Sequence, residues 1–187
     1  MNKKNTHCSY CGTRFTEQIL WPRKCFKCYN ESYNSPVPVV IVLFPVVQEC
    51  VLNDSGGAVA RQYGTLIQKR NINPGKGEWA LTGGHIDSCE YWKTAAVREV
   101  YEELGLQSKE DDYKLLDVTG NHDNSDLLVF CYYNLILSDK MIDDWKFAPN
   151  EEVSDIKVMY GETKLAFESH TKYANEYIKF LNNELLK

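Results

Sequence analysis

The chain has 187 residues, enough for one main domain and a small addition. With 43% hydrophobic and 12% aromatic residues it has the material for a buried core, which excludes a disordered chain. A formal net charge of −5 argues against broad, unspecific nucleic-acid binding, and no apolar run is long enough to span a membrane.

The start, MNKKNTHCSY, is basic but has no apolar signal core, so the expected location is cytoplasmic. Two CxxC pairs follow, Cys8/Cys11 and Cys25/Cys28, with thirteen residues between them. Thiolates three residues apart on a tight turn reach one tetrahedral ion, and a segment this poor in aliphatic residues needs a staple. Residues 1–35 are therefore expected to form a small zinc ribbon whose four cysteines hold a structural Zn²⁺. Gly12 suits the first turn, and His7 is a spare ligand. Phe15, Trp21, Phe26 and Tyr29 are expected to pack around the ion. Arg14, Arg23, Lys24 and Lys27 make stacking on nucleic-acid bases the less favoured use of these aromatics. Residues 29–36 read as a polar linker, so the second domain spans 36–187.

That domain opens on VPVVIVLFPVV, Val37–Val47, which reads as one buried strand. Asn53–Gly57 supply a turn, and Tyr63–Lys69 the returning strand of a hairpin over 39–69. Lys69 and Arg70 end that strand, where they meet substrate phosphate or stand as solvated charges. A loop over 71–78 and a short extended piece from Trp79 lead to Gly83-Gly84. Beyond residue 106, strands are expected at Leu115–Thr119, Leu127–Leu137 and Val153–Tyr160, with Cys131 in the core. An amphipathic helix is expected at about 163–186. His85, His122 and His170 read as polar surface or local hydrogen-bonding groups. Strands and helices mixed in this order predict α/β layers around a sheet.

Between Gly84 and Gly105 the pattern turns helical. Asp87 or Ser88 serves as a start signal, with Glu90 in the first turn and Gly105 at the left-handed end. At about 100° per residue, Glu99, Glu102 and Glu103 share one face, while Val97, Val100 and Leu104 share another. Like charges this close repel. They form a solvated acidic face, or they hold a hard divalent cation that prefers oxygen ligands. Arg98 is placed to orient one of the glutamates.

Gly84, Glu90 and the run Arg98-Glu99-Val100-Tyr101-Glu102-Glu103-Leu104-Gly105-Leu106 resemble the Nudix box, GX5EX7REUXEEXGU, at every fixed position. The resemblance implies an α/β/α sandwich with a mixed β-sheet. It implies hydrolysis of a nucleoside diphosphate linked to another moiety, with Mg²⁺ or Mn²⁺ as cofactor. By resemblance Glu99, Glu102 and Glu103 hold the metal, with the Gly84 carbonyl as a further ligand, while Arg98 and Glu90 hold the box together. Pro149-Asn-Glu151-Glu152-Val153 resembles the family's acidic loop, with Glu152 the first choice for catalytic base and Glu151 the second. A zinc ribbon ahead of such a domain is similar to NADH pyrophosphatases. Their signature after the box is absent here, and no proline lies between Pro74 and Pro149, a position many ADP-ribose pyrophosphatases use. The expected substrate is thus a small nucleotide, a dinucleotide or nucleotide sugar such as NAD(H) or ADP-ribose. The alternative is a nucleotide-sensing or RNA-end-binding module. The family's frequent pairing makes a homodimer the alternative to a monomer.

Overall fold

In the computed structural model the apolar run Val37–Val47 is two strands, not one. The structure describes residues 5–16, 20–51, 59–121 and 125–185. Strands β1 (Arg23–Lys24) and β2 (Glu31–Ser32) form a small antiparallel pair near the start. Strand β3 (Val37–Leu43) then ends at Phe44, and β4 (Pro45–Val51) continues in another sheet. Proline at the first position of β4 has no N–H to give to a ladder, which makes the junction a natural place to change sheets. The expected hairpin survives in part: β4 pairs antiparallel with β5 (Val59–Arg70), but β3 does not join it. The Asn53–Gly57 turn lies outside the described residues.

Strand β3 lies between β7 (Thr82–His85), antiparallel, and β9 (Asp126–Tyr133), parallel; β8 (Tyr113–Gly120) completes that sheet. The other mixed sheet runs β10 (Leu137–Ser138), β4, β5, β11 (Val153–Met159), with β6 (Trp79–Ala80) also on β5. The expected single strand Leu127–Leu137 breaks after Tyr133, and its last part becomes β10, parallel to β4.

Because β3 is central, both its faces are buried, which explains an uninterrupted apolar run. Val40, Val42 and Phe44 point to one core, with Ala95, Ala96, Val100 and Leu104 of helix α1 (Trp92–Leu104). Ile41 and Leu43 point to the other, with Tyr173, Ala174, Tyr177, Ile178 and Leu181. Those five lie on helix α3 (Glu168–Leu185), which follows the five-residue α2 (Asp139–Asp143). Helix, sheets, helix is an α/β/α sandwich. Phe130 of β9 stacks on Tyr173 of α3 with ring centroids 3.8 Å apart.

Two helix boundaries differ from expectation. Helix α3 starts at Glu168 rather than 163, because the preceding chain is drawn out by other bonds. Thr163 N–H donates to Asn175 Oδ1, Leu165 N–H to Thr171 Oγ1, and Ala166 N–H to the Trp79 carbonyl. Helix α1 has Tyr91 at its N-cap with no side-chain cap, so Asp87 and Ser88 do not cap it. Asp87 instead donates its N–H to the Glu90 carboxylate, and Glu90 precedes the helix. At the other end Gly105 does take the left-handed conformation, with φ 70°.

The chain divides into two units, Met1–Pro36 and Val37–Lys187. No described helix is long and apolar enough to cross a membrane. Phe44 is fully buried at the junction of the two sheets. Phe44→Ala is expected to lower stability by about 3–5 kcal/mol, the range for emptying a large aromatic site. Urea unfolding followed by circular dichroism checks this, and an unchanged midpoint would contradict it.

Candidate active site

Strand β7, its following loop and helix α1 build one wall of a cleft of about 940 Å³. Pairing of β7 with β3 places Gly83 and Gly84 against Ile41 and Val40. Gly83 does not tolerate a side chain, and one at Gly84 would push the Glu99 carboxylate aside. A Cβ on Gly83, whose φ is +146°, would lie 2.1 Å from the Val40 carbonyl oxygen. A Cβ on Gly84 would lie 2.5 Å from the Glu99 carboxylate. Two glycines in series therefore let the helix carboxylates close onto the strand backbone.

Arg98 organises the acidic face. Its Nε and Nη2 donate to the two oxygens of Glu90, each at 2.9 Å, a bidentate pair. Nη2 also donates to the His85 carbonyl at 2.9 Å. Nη1 donates to Glu99 at 2.7 Å and to Glu102 at 3.1 Å. The Arg98 guanidinium and the Asp87 N–H hold the Glu90 carboxyl below its usual range. Glu99 behaves oppositely: burial pushes its carboxyl up, against the pull of Arg98.

Glu103 is 3% exposed and accepts a hydrogen bond of 2.8 Å from Gly83 N–H. Burial pushes its carboxyl up to about 8, although Gly83 and the Gln68 side chain both hydrogen-bond it. Thr82 Oγ1 in turn donates to Gln68 Oε1 at 3.1 Å. Two nearly buried carboxylates on one wall thus have too little positive charge beside them. That is the electrostatic setting a divalent cation fits, and the donors are all oxygens. Mg²⁺ makes up its shell with water, so it does not need every ligand from the protein.

The acidic loop reaches the same cleft. Asn150 Nδ2 donates to the Glu102 and Glu103 carbonyls at the end of α1, at 3.2 and 3.0 Å. Its Oδ1 accepts from the N–H groups of Glu152 and Val153. Glu152 lines the cleft and its charge is felt by both Glu99 and Glu103; Glu151 is not among the lining residues. Arg70 also lines the cleft, with Nε donating to the Pro74 carbonyl at 2.7 Å. Lys69 does not line it; its ammonium stands 6.0 Å from the Trp79 ring centroid.

Asn150, Gln68, Thr82 and His170 were not singled out for the site by sequence. Gln68 carries a signal, an amide directly after the apolar pair Leu66-Ile67 of β5. His170 carries none. Far from a surface group, it is 9% exposed, lines the cleft, and accepts the Leu81 N–H at 3.1 Å through Nδ1. His85 lines the same cleft; His122 lies outside the described residues.

In the first unit the ligand atoms of Cys8, Cys11, Cys25 and Cys28 all lie within 4.8 Å of one another. Each pair sits on the same turn, closed by Gly12 N–H to the Cys8 carbonyl and Tyr29 N–H to the Cys25 carbonyl. Gly12 and Tyr29 both take positive φ, 70° and 61°. The Cys11 N–H pulls the Cys8 thiol down to about 6. Buried Ser32 donates its hydroxyl to Cys8 Sγ. His7 is not in the group; its ring meets Thr6 Oγ1. Phe15 and Trp21 pack edge to face, but Phe26 and Tyr29 are 62% and 72% exposed and do not wrap the cluster as expected. The turns and sulfurs hold this unit with little apolar cover. Cys131 is buried in the core as expected.

Residues 43–180 match the NUDIX domain family model. The chain therefore belongs to the Nudix family. It is 29% identical over 126 residues to the ADP-ribose pyrophosphatase of Methanocaldococcus jannaschii, covering 67% of this chain and 72% of that protein. A NUDIX hydrolase from Nitrosomonas europaea superposes with a TM-score of 0.61 at 19% identity, covering 96% and 93% of the two chains. The NUDIX domain of Shewanella oneidensis NrtR, solved with ADP ribose, gives a TM-score of 0.53 at 20% identity over 79% of this chain and 89% of that one.

Burial of His170, with the nearby Arg70 charge, lowers its pKa to about 3, against about 6.5 in an unfolded chain. The unfolded state therefore takes up the proton first as pH falls. The His170 contribution to stability is full above about pH 6.5 and is lost progressively toward pH 3. His170→Gln, which can still accept the Leu81 N–H, is expected to lose less stability between pH 7 and pH 5 than the parent. Paired urea titrations at the two pH values check this; equal losses would contradict it.

Proposed function

We propose that this chain uses Mg²⁺, or Mn²⁺, to hydrolyse the pyrophosphate bond of a nucleoside diphosphate linked to another moiety. The substrate is a dinucleotide or nucleotide sugar such as NAD(H) or ADP-ribose. One observation carries the reading: a single cleft is lined by Glu99, Glu102, Glu103 and Glu152 together with Arg70, Phe167 and His170. Its volume, about 940 Å³, suits a ligand of dinucleotide size. The names of two similar proteins, an ADP-ribose pyrophosphatase and a NUDIX domain solved with ADP ribose, favour the same substrate class.

In this reading Glu99, Glu102 and Glu103, with the Gly84 carbonyl, hold the cation. A divalent cation bound there would supply charge neutralisation at the diphosphate and would make the attacking water more acidic. Arg98 keeps Glu99 and Glu102 turned to the cleft, and Glu90 anchors Arg98. Glu152 takes the proton of the attacking water, from a loop that Asn150 ties to the end of α1. Water oxygen bonds to one phosphorus, the bridging P–O bond breaks, and two phosphate monoesters leave. Arg70 binds a phosphate oxygen, and Lys69 adds only longer-range positive charge. Residues 1–35 form a zinc ribbon in which Cys8, Cys11, Cys25 and Cys28 hold a structural Zn²⁺. Free thiols of this kind belong in the reducing cytoplasm.

A second reading, a sensing or RNA-end-binding module, draws on the exposed aromatics Tyr10, Phe26 and Tyr29 in a unit whose Lys and Arg outnumber its Asp and Glu. Binding to single-stranded RNA that weakens steeply with salt would favour it.

With purified protein, Mg²⁺ and a panel of NADH, NAD, ADP-ribose, dinucleoside polyphosphates and nucleoside triphosphates, phosphate monoesters are expected from one substrate class. A chelator is expected to stop the reaction. Glu103→Gln is expected to slow it at least about 100-fold with the thermal midpoint kept or raised. Unchanged rates in that variant would show the metal site to be elsewhere.

A further inference from the structure

Gln68 and Thr82 are polar side chains enclosed by the protein, each 1% exposed. They belong to different sheets: Gln68 lies on β5 and Thr82 on β7. The chain passes between the sheets at Leu81, which is equally buried and separates β6 from β7. Neither Gln68 nor Thr82 lines the cleft. Burying an amide and a hydroxyl contributes little net stability, since each gives up bonds to water. Apolar side chains would serve packing at least as well.

What the pair adds is direction. Thr82 Oγ1 donates to Gln68 Oε1 at 3.1 Å. A primary amide has one oxygen and one NH₂ group. With the oxygen held by the hydroxyl, the NH₂ is left for the Glu103 carboxyl, which the Gln68 side chain hydrogen-bonds. The reverse orientation would set the amide oxygen against a carboxylate oxygen. Glu103 also accepts the Gly83 N–H at 2.8 Å. Thr82 and Gly83 are consecutive in β7, so one strand acts on Glu103 twice, directly and through Gln68. A carboxylate has about four lone-pair sites, and two donors leave the others open. Glu103 itself lines the cleft, where those sites can meet a ligand.

We propose that Gln68, locked by Thr82, is a positioning residue for the cation: it holds the Glu103 carboxylate in the rotation that ligates, without touching metal or substrate. This rests on the reading of Glu103 as a cation ligand. It gives a buried polar pair, outside the cleft, a part in the reaction.

The test is Mn²⁺ affinity of the full-length protein, read by electron paramagnetic resonance, with no turnover required. Gln68→Met, close in size but without a donor, is expected to weaken Mn²⁺ binding about tenfold, as loss of a partner to a metal ligand does. Thr82→Val is expected to weaken it by less, and Thr82→Ser, which keeps the hydroxyl, to retain the parent affinity. In a Glu103→Gln background, Gln68→Met is expected to change nothing further, because the carboxylate it orients is gone. Parent affinity in folded Gln68→Met, or equal affinity in Thr82→Val and Thr82→Ser, would overturn the proposal. So would an undiminished loss in the Glu103→Gln background, which would make Gln68 only a link between the sheets. If Gln68→Met does not fold, the two Thr82 variants decide. A parent that binds no Mn²⁺, or a Glu103→Gln variant that binds it as the parent does, would overturn the metal site and this inference with it. Binding weakened by Glu103→Gln alone would overturn this inference and leave the metal site standing.

Discussion

Three carboxylates on one face of a helix repel one another, and the guanidinium of Arg98 is what lets α1 carry them. It binds Glu90 with two hydrogen bonds, and Glu99, Glu102 and the His85 carbonyl with one each. Those partners lie in the end of β7, the loop before the helix and the helix itself. One side chain thereby fixes the angle at which the helix leaves the loop, as well as the directions of two carboxylates. The fork geometry matters: a lysine offers a single point of charge and cannot serve Glu90 bidentately while holding the others.

Arg98 does not neutralise the site completely. Glu103 is out of its reach and is served by Gly83 N–H and Gln68, and burial still raises its proton affinity, as it does for Glu99. The sheet enforces this. Strand β3 is buried on both faces, β7 is paired to it, Gly83 packs against the β3 backbone, and Gly84 brings β7 to within contact of the Glu99 carboxylate. Asn150 then closes the arrangement from the far end, using one amide to join the last carbonyls of α1 to the loop that carries Glu152. Strand, helix and acidic loop are thus held together by the side chains of Arg98, Glu103 and Asn150, largely through bonds to backbone groups.

Much of this was legible in the sequence where a residue's role is local. The box glutamates follow a helical period, Gly105 ends the helix at a left-handed position, and two CxxC pairs place four thiols on two like turns. What was not legible depends on distant partners. The switch of sheets at Phe44 lies inside an apolar run whose members look alike, with Pro45 the one mark. Asn150, Thr82 and His170 act through bonds to residues far along the chain, and a histidine accepting a backbone N–H across 89 positions leaves no pattern to read. The late start of α3 has this cause only in part: Trp79 is a distant partner of its first expected turn, whereas Thr171 and Asn175 lie in the helix itself. Phe26 and Tyr29 were misjudged because aromatic content was read as core, whereas the cysteine turns hold their unit with little apolar cover.

The central claim is that the wall formed by Glu99, Glu102 and Glu103 holds a divalent cation. Electron paramagnetic resonance of Mn²⁺ titrated into the protein tests it most directly, because free Mn²⁺ gives a signal that is lost on binding. The account predicts saturable binding in the parent that is weakened at least about tenfold by Glu99→Gln and by Glu103→Gln, with competition by Mg²⁺. Binding of equal strength in both variants would contradict it.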